Sequence, residues 1–169
     1  FVNPNAGTLY YWNLTGGTFV IGSVGVFNSF LWGVPGPGFV TAYEVSAAGC
    51  MGPEDTLDVT INPKPAPVTF IGSTLICDNS TETYALSSPM NVGSTYTWAA
   101  VSASTANVNV TMDTLTVVWG TPGTGTVSLF ETNSFGCNSD TANDNIDINE
   151  HPVASILPDS AAICNNTGY

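Results

Sequence analysis

Matching residues recur 87 positions apart along this chain of 169 residues. Trp32 and Trp119 have this spacing (119 − 32 = 87), and so do Cys50 and Cys137 (137 − 50 = 87). The same offset aligns Leu31-Trp32-Gly33 with Val118-Trp119-Gly120, Ile61-Asn62 with Ile148-Asn149, and Ile76-Cys77 with Ile163-Cys164. Self-similarity at a fixed period marks a tandem array, and this period fits one small domain per repeat. The chain is therefore predicted to consist of successive copies of one domain.

The phase of the repeat predicts the domain boundaries. Residues 1–65 correspond to the C-terminal part of one repeat, residues 66–152 to a complete repeat, and residues 153–169 to the start of a third. Because both ends cut through a repeat, the natural polypeptide is expected to be longer. The inter-repeat segment Asn62-Pro63-Lys64-Pro65-Ala66-Pro67 favours a semi-rigid polyproline II spacer, although an edge strand fits this segment equally well.

Short β-rich runs fill the complete repeat, and no long stretch has apolar residues at helical spacing. Ile146 and Ile148 alternate with Asp147 and Asn149, as expected for a strand with one face on a core and one in water. The predicted strands are Val68-Ile71, Thr74-Cys77, Thr83-Leu86, Thr95-Ala100, Val108-Thr111, Leu115-Trp119, Thr126-Thr132 and Asn145-Asn149. Strands of this number and length predict an all-β fold, with each repeat a β-sandwich with Greek-key connections.

Charge restricts the possible partners. The chain has one Lys or Arg residue, Lys64, against thirteen Asp and Glu residues, and its formal net charge is −12. Such a surface repels nucleic acid, whose binding requires Lys and Arg, and anionic membranes for the same reason. No run of 18 apolar residues is present to span a membrane. The near absence of basic residues favours a secreted protein.

The cysteines suggest a disulfide within the complete repeat. Cys77 begins that repeat and Cys137 lies near its end, with Trp98 between them, a spacing similar to that of the immunoglobulin core. A Cys77–Cys137 disulfide is therefore predicted, and it would stabilise the repeat by roughly 4 kcal/mol in the chain-entropy model. The alternatives are a metal site and free thiols; the cysteines are too widely spaced for an ordinary zinc site.

Four short motifs together resemble a known type of repeat. They are Tyr96-Thr97-Trp98, Val118-Trp119-Gly120, Pro122-Gly123-Thr124-Gly125 and Asn133-Ser134-Phe135-Gly136-Cys137. This pattern is similar to the PKD-like or Ig-like repeats of very large surface proteins of Bacteroidota, including gliding-motility-type adhesins exported by type IX secretion. The resemblance implies an extracellular location at the bacterial cell surface and tandem Ig-like or PKD-like sandwiches. It also implies that the partners are neighbouring repeats of the same long chain, with surface glycans or other surface proteins as further partners.

Catalytic residues are scarce. His151 is the only histidine and lies in a connector between Glu150 and Pro152. No G-x-S-x-G motif accompanies it. Glu44, Glu82 and Glu131 could act in glycoside hydrolysis by residue type alone. The sequence therefore predicts that the chain is not an enzyme and uses no cofactor other than calcium.

Calcium is the metal that the acidic clusters suit, because hard cations prefer carboxylate and carbonyl oxygens. The predicted ligands are Asp140, Asp144 and Asp147; Glu54-Asp55 with Asp58 forms a second cluster. Neither cluster has the spacing of an EF-hand loop. Acidic residues on a last strand also protect a sheet edge from pairing with other chains.

Glycosylation is suggested by a short motif. Bacteroidota attach O-linked glycans to Asp-Ser/Thr-aliphatic tripeptides, and four tripeptides of the chain fit, which makes Thr56, Thr114, Thr141 and Ser160 the candidate acceptors. Local turn chemistry is the alternative explanation, because Asp and Thr side chains both bond nearby backbone groups.

The aromatic residues distinguish the functional hypotheses. The tryptophans recur at repeat spacing and are predicted to lie in the cores, whereas Phe27, Phe30 and Phe39 have no aromatic counterparts in the second repeat. The first hypothesis is a non-catalytic stalk or filament segment of a long secreted adhesin. The alternatives are a glycan- or protein-binding module, for which these phenylalanines are the candidate contact surface, and a spacer domain of a secreted hydrolase.

Overall fold

The computed structural model describes residues 7–155, and within this range the chain forms strands and turns without a helix. No helix that could span a membrane occurs among these residues. The strands are β1 (Leu9–Thr15), β2 (Gly17–Phe19), β3 (Phe30–Trp32), β4 (Gly36–Val45), β5 (Asp55–Ile61), β6 (Phe70–Ile71), β7 (Leu75–Cys77), β8 (Thr81–Leu86), β9 (Thr95–Val101), β10 (Ala103–Val108), β11 (Thr114–Trp119), β12 (Gly123–Thr132) and β13 (Ala142–Asn149). The predicted all-β fold is confirmed.

The chain divides into two compact units. The first unit comprises Phe1–Ala66 with the loop Thr132–Ser139, and the second comprises Pro67–Glu131 with Asp140–Tyr169. The sequence repeat predicted a boundary between residues 65 and 66. It did not predict that the loop Thr132–Ser139, which belongs to the second repeat, groups with the first unit.

The second unit is a β-sandwich. One sheet has the strand order β10-β11-β8-β6 and the other β7-β13-β12-β9. Alternate residues of each strand point inward, so that Leu115, Val117 and Trp119 of β11 are buried while the residues between them are partly exposed. The two inner faces share one core, whose buried members are Ile76, Tyr84, Tyr96, Trp98, Leu115, Val117, Trp119, Val127, Leu129, Ile146 and Ile148.

The first unit has the strands of only part of such a sandwich. Its sheets are β1-β4-β5 and the hairpin β2-β3. These strands correspond to β9, β12, β13, β10 and β11, and the pairing agrees, since Gly36 faces Ile61 as Gly123 faces Ile148. In the described part of the first unit no strand occupies the positions of β6, β7 or β8.

Equivalent hydrogen bonds in the two units show that the repeat is present in the structure as well as in the sequence. The Trp12 indole Nε1 donates to the Gly25 carbonyl at 2.7 Å, and Trp98 Nε1 donates to the Met112 carbonyl at 2.9 Å. Gly25 and Met112 are 87 residues apart (112 − 25 = 87), and both have positive φ, 144° and 61°. The residue that accepts from the indole thus adopts a positive φ in both units, even where it is a methionine.

Glycine is required where a tryptophan packs against the following strand. A Cβ atom on Gly125 would lie 2.4 Å from Cζ3 of Trp119, and one on Gly38 would lie 3.0 Å from Cζ3 of Trp32. The first distance is shorter than any normal contact. The glycine after Pro-Gly-x in each repeat therefore leaves room for the indole to pack closely against the strand.

One predicted strand is wrong. The segment Val108–Thr111 was predicted as β, but the strand is Ala103–Val108 and the residues after it form a turn. Asn109 closes this turn, because its Nδ2 donates to Thr111 Oγ1 at 2.6 Å and its Oδ1 accepts from the Thr114 amide at 3.2 Å. The seven other predicted strands overlap observed ones.

Candidate functional site

A groove of about 740 Å³ opens on the inner face of the β1-β4-β5 sheet in the first unit. Its aromatic lining is Tyr10, Trp12, Phe30 and Trp32, and we call it the aromatic groove. Phe30 contacts two of its neighbours, with ring centroids 6.1 Å from Trp12 and 6.1 Å from Trp32. Its remaining lining residues include Val40, Ala42, Glu44, Asp55, Leu57 and Val59.

The aromatic groove corresponds to space that the second unit fills with its own side chains. There Phe70 packs 5.4 Å from Trp98, and Tyr84 packs 6.2 Å from Trp119, between ring centroids. The Tyr84 hydroxyl donates to the Ser73 carbonyl at 2.9 Å, and burial raises the pKa of this phenol above its ordinary 10.0. The groove is thus open because no described residue of the first unit takes the places of Phe70 and Tyr84.

Burial differs accordingly between equivalent residues. Trp119 and Ile146 are fully buried, whereas their counterparts Trp32 and Val59 are half-buried. Leu57 is 64% exposed. An apolar surface of this kind on a sheet face is typical of a binding site or an interface.

Of the three phenylalanines predicted as a contact surface, Phe30 lines the aromatic groove. Phe39 lies on β4 next to Val40, which lines the groove, so its side chain is on the opposite face of that strand. Phe27 is 56% exposed and does not line the groove. The structure therefore does not gather these three rings on one face.

The predicted Cys77–Cys137 disulfide is not formed, and both thiols are free. Cys77 pairs with Asn149 at one end of β13, whereas Cys137 precedes Asn138, which pairs with Thr132 at the end of β12. Gly123 begins β12 and pairs with Ile148, the neighbour of Asn149, so this end of β12 lies near Cys77. The ten residues of β12, roughly 30 Å in length, therefore separate the two cysteines. A disulfide requires Cα atoms about 4.4–6.8 Å apart.

The predicted calcium ligands do not form a site. Within residues 7–155, no three Asp, Glu, His or Cys side chains are placed to hold a metal ion. Asp144 shares the face of β13 that buries Ile146, and Asp147 lies on the opposite face. Asp140 is exposed before the strand begins. The alternation of side chains along the strand therefore separates the three carboxylates.

His151 anchors the connector after β13 to the end of β7. Its backbone amide donates to Asp78 Oδ1 at 2.9 Å, and its Nδ1 also contacts this oxygen. The hydrogen bond from the His151 side chain lowers the pKa of Asp78 below its ordinary 3.8. Lys64 occupies the equivalent position in the first repeat (151 − 64 = 87), so both basic connector residues of the chain follow the same period.

Three of the four candidate glycosylation sites lie in the described range. Thr56 on β5 and Thr141 before β13 are exposed, and Thr114 at the start of β11 is half-buried. Asp113, which precedes Thr114, accepts from Thr111 Oγ1 at 2.7 Å and from Asn109, and these hydrogen bonds lower its pKa below 3.8. Asp113 thus has a role in the turn itself. Ser160 lies outside the described residues.

A buried carboxylate in the second unit has a role that the sequence did not indicate. Glu131 is 2% exposed, and its oxygens accept from Asn91 Nδ2 at 3.0 Å and from Ser94 Oγ at 2.6 Å. These bonds hold the turn before β9 against the end of β12. Residue type alone suggested Glu131 as a candidate for glycoside hydrolysis. The sequence motif that could have indicated a structured turn is Gly93-Ser94-x-Tyr96, which recurs in the first repeat as Gly7-Thr8-x-Tyr10.

The chain matches no known protein family, and a comparison with curated proteins gives no match either.

Proposed function

We propose that this chain is a non-catalytic structural segment of a long secreted cell-surface protein, in which tandem Ig-like sandwiches form a stalk or filament. The observation that carries this proposal is the period shared by sequence and hydrogen bonding, with the acceptors Gly25 and Met112 spaced by 87 residues and the donors Trp12 and Trp98 by 86 (98 − 12 = 86). The indole bonds of Trp12 and Trp98 and the left-handed glycines Gly49 and Gly136 (φ 83° and 80°) recur in equivalent places. Repetition at this level favours units that serve together as an array.

The strand order supports the immunoglobulin-like assignment within this proposal. In constant-type immunoglobulin domains strands A, B, E and D form one sheet and C, F and G form the other. The order β6-β8-β11-β10 and the order β9-β12-β13 in the second unit correspond to these two sheets. The parallel partner β7 of β13 is an additional short strand beside the position of G.

Surface chemistry supports an extracellular role. The net charge of −12 keeps neighbouring repeats from associating non-specifically. The only histidine is bonded to Asp78 in a connector, which favours a positioning role over acid–base catalysis. The resemblance to Bacteroidota surface repeats adds type IX secretion, gliding-type adhesion and O-glycosylation at exposed Thr56 and Thr141 to the proposal.

Antibodies against the purified chain test the location. Intact, unpermeabilised cells of the source organism are expected to label at the surface, with an antibody to a ribosomal protein as the control for cell integrity. Labelling that requires permeabilisation would overturn the proposal. Intact mass of the protein purified from that organism, compared with protein made in a host lacking the glycosylation pathway, tests the glycan additions.

A second candidate function is a glycan- or protein-binding module, and the aromatic groove is the observation that favours it. If the groove binds an external ligand, Phe30→Ala should abolish binding on a glycan array or to surface extracts. Phe27→Ala is the matched control, because Phe27 is exposed outside the groove. Equal binding by both variants would exclude the groove as the binding site.

A further inference from the structure

The outer face of the β1-β4-β5 sheet, opposite the aromatic groove, carries a pair of stacked tyrosines. Tyr11 lies between Tyr10 and Trp12, which line the groove, so its side chain points to the outer face. Tyr11 pairs with Tyr43 of β4, and the two rings stack with centroids 5.3 Å apart and planes 12° from parallel. Each ring therefore has one face against the other tyrosine and one face turned away from it.

A carboxylate lies next to this stack. The register of β4 with β5 places Glu54, the residue before β5, beside Tyr43. Glu54 is exposed, and its Oε1 accepts hydrogen bonds from Thr41 Oγ1 and, at 3.4 Å, from Asn13 Nδ2. These bonds hold the carboxylate on the outer face, and its Oε2 accepts no hydrogen bond within the described residues.

The outer face is at the surface whether or not the inner face is covered. The second unit has both sheets of its sandwich, and its residues equivalent to Tyr11 and Glu54 are Thr97 and Thr141 (97 − 11 = 86; 141 − 54 = 87). Both threonines are exposed. A second sheet packed on the inner face therefore leaves these positions open to other molecules.

The repeated fold does not require the tyrosine pair or the carboxylate. The second unit folds with Thr97, Phe130 and Thr141 at the positions of Tyr11, Tyr43 and Glu54. It thus has neither two stacked rings nor an acid at this place. A combination that departs from the shared framework favours a role that belongs to the first unit alone.

We propose that the outer face of the first unit binds an arginine side chain of a basic partner protein, with the guanidinium group between the free face of Tyr43 and Glu54. A cation over a tyrosine ring is attracted by the negative face of that ring. The arginine guanidinium is planar, so it can stack on the ring while its N–H groups donate to the carboxylate. This inference goes beyond the proposed function, because it adds a partner to a structural segment.

Charge favours a basic partner over an acidic or neutral one. The chain has a net charge of −12, which attracts a basic protein over a longer range than the contact itself. The chain contains no arginine, and Lys64 is its only lysine. The guanidinium must therefore come from another molecule.

Isothermal titration calorimetry of the chain with a short blocked peptide of alternating Gly and Arg tests the proposal. We expect saturable binding that weakens about tenfold in Glu54→Gln and in Tyr43→Leu. Glutamine keeps an oxygen that can accept from Thr41, so Glu54→Gln should preserve the fold even if Tyr43→Leu does not. Tyr43→Phe retains the ring and should bind like the unmodified chain.

Asp58→Asn is the matched control for charge. Asp58 is exposed on the same face of β5, where it pairs with Phe39, and its substitution removes one negative charge as Glu54→Gln does. The affinity of Asp58→Asn should stay close to that of the unmodified chain. A peptide with citrulline, which has the shape of arginine without its charge, should not bind. A peptide with lysine should bind more weakly, because an ammonium group lacks the planar fork.

Amide chemical shifts locate the contact. Addition of the arginine peptide should move the signals of Tyr11, Tyr43 and Glu54 and leave those of Thr97 and Thr141 in place. These two threonines provide an internal control, because they lie at equivalent positions of the second unit.

Three results would overturn the assignment. Equal weakening by Glu54→Gln and Asp58→Asn would show only a general attraction to an acidic surface. An arginine peptide that does not bind would leave the tyrosine pair without this ligand. Equal binding of the citrulline peptide, or binding of a neutral oligosaccharide that Tyr43→Leu abolishes, would assign the face to an uncharged ligand. None of these results affects surface labelling of cells, so failure of this inference is distinguishable from failure of the proposed function.

Discussion

At the scale of single residues, three buried side chains of the second unit form hydrogen bonds with specific partners, whereas Ser80 Oγ and Trp119 Nε1 are buried without one in the described residues. Glu131 accepts from Asn91 and Ser94, Tyr84 donates to the Ser73 carbonyl, and Trp98 donates to the Met112 carbonyl. Each bond joins a residue that faces the core to a turn or loop. The polar atoms of the core thus fix the turns, which the apolar residues alone would leave unspecified.

Removal of the buried carboxylate is expected to destabilise the second unit. Glu131→Ala leaves Asn91 and Ser94 without their acceptor and should lower the free energy of unfolding by about 3 kcal/mol. Glu150→Ala removes the same charge from an exposed position and should change it by less than about 0.5 kcal/mol. Chemical denaturation followed by tryptophan fluorescence measures both. Equal effects of the two substitutions would show that the Glu131 hydrogen bonds add nothing to stability.

At the scale of secondary-structure elements, the connector after β13 is held by Asp78 and His151. Because the folded state lowers the pKa of Asp78 below 3.8, the folded state favours the ionised carboxylate. The stabilisation is therefore complete above pH 3.8 and is lost as the pH falls through the lowered value. The melting temperature of His151→Ala should accordingly lie below that of the unmodified protein at pH 6, and the two should converge once the pH is below the lowered pKa of Asp78.

The matched control for the contact between Asp78 and His151 is Glu150→Ala. The side chain of Glu150 is exposed, and this residue precedes His151 in the chain. Its melting temperature should follow that of the unmodified protein at every pH. A difference between His151→Ala and the unmodified protein that persists unchanged into strong acid would contradict the assignment to Asp78 ionisation.

The free cysteines make stability independent of redox conditions. Because Cys77 and Cys137 lie at opposite ends of the β12–β13 ladder, reductant should leave the melting temperature unchanged. Cys77 and Cys50 are both exposed and should react with a thiol reagent in the native protein, and Cys77→Ser should remove only the label that peptide mass analysis locates at position 77, without loss of stability. A drop in melting temperature on reduction would instead indicate a bridge.

The sequence predicted the strands well where apolar residues alternate, as in β11 and β13. The prediction failed at β10, where Ser, Thr and Asn residues on an exposed edge lack that alternation. The strand was therefore predicted in the segment that forms the following turn. The disulfide prediction failed for a related reason. The spacing of Cys and Trp resembles that of immunoglobulin domains, but it does not specify at which end of a strand each cysteine lies.

At the scale of the whole molecule, the two units share a pattern but differ in completeness. The 87-residue period predicted equivalent strands, and the registers of β4 with β5 and β12 with β13 agree with it. The aromatic groove was not predicted, because the sequence showed equivalent tryptophans in both repeats. Burial of the tryptophans depends on Phe70, Ile76 and Tyr84. These residues belong to β6, β7 and β8, and the described part of the first unit lacks strands at those positions.

Substitution of equivalent tryptophans tests this difference. Trp119 is fully buried, so Trp119→Ala should lower the stability of the second unit by about 3–5 kcal/mol. Trp32 is half-buried, so Trp32→Ala should cost the first unit clearly less. Hydrogen exchange of the amides in β4 and β12, resolved by mass spectrometry, assigns each loss to its unit. Equal losses would show that the groove is covered in solution.

The unbridged sulfur atoms also bear on how such a chain would respond to pulling. A link between Cys77 and Cys137 would have withheld the 60 residues between those positions (137 − 77 = 60) from extension. Without it, a rupture of the second sandwich can release all residues from Pro67 to Asn149 (149 − 67 + 1 = 83), up to about 280 Å of chain. If the chain serves as the stalk proposed above, the second sandwich would unfold under a sudden load and refold when the load is removed.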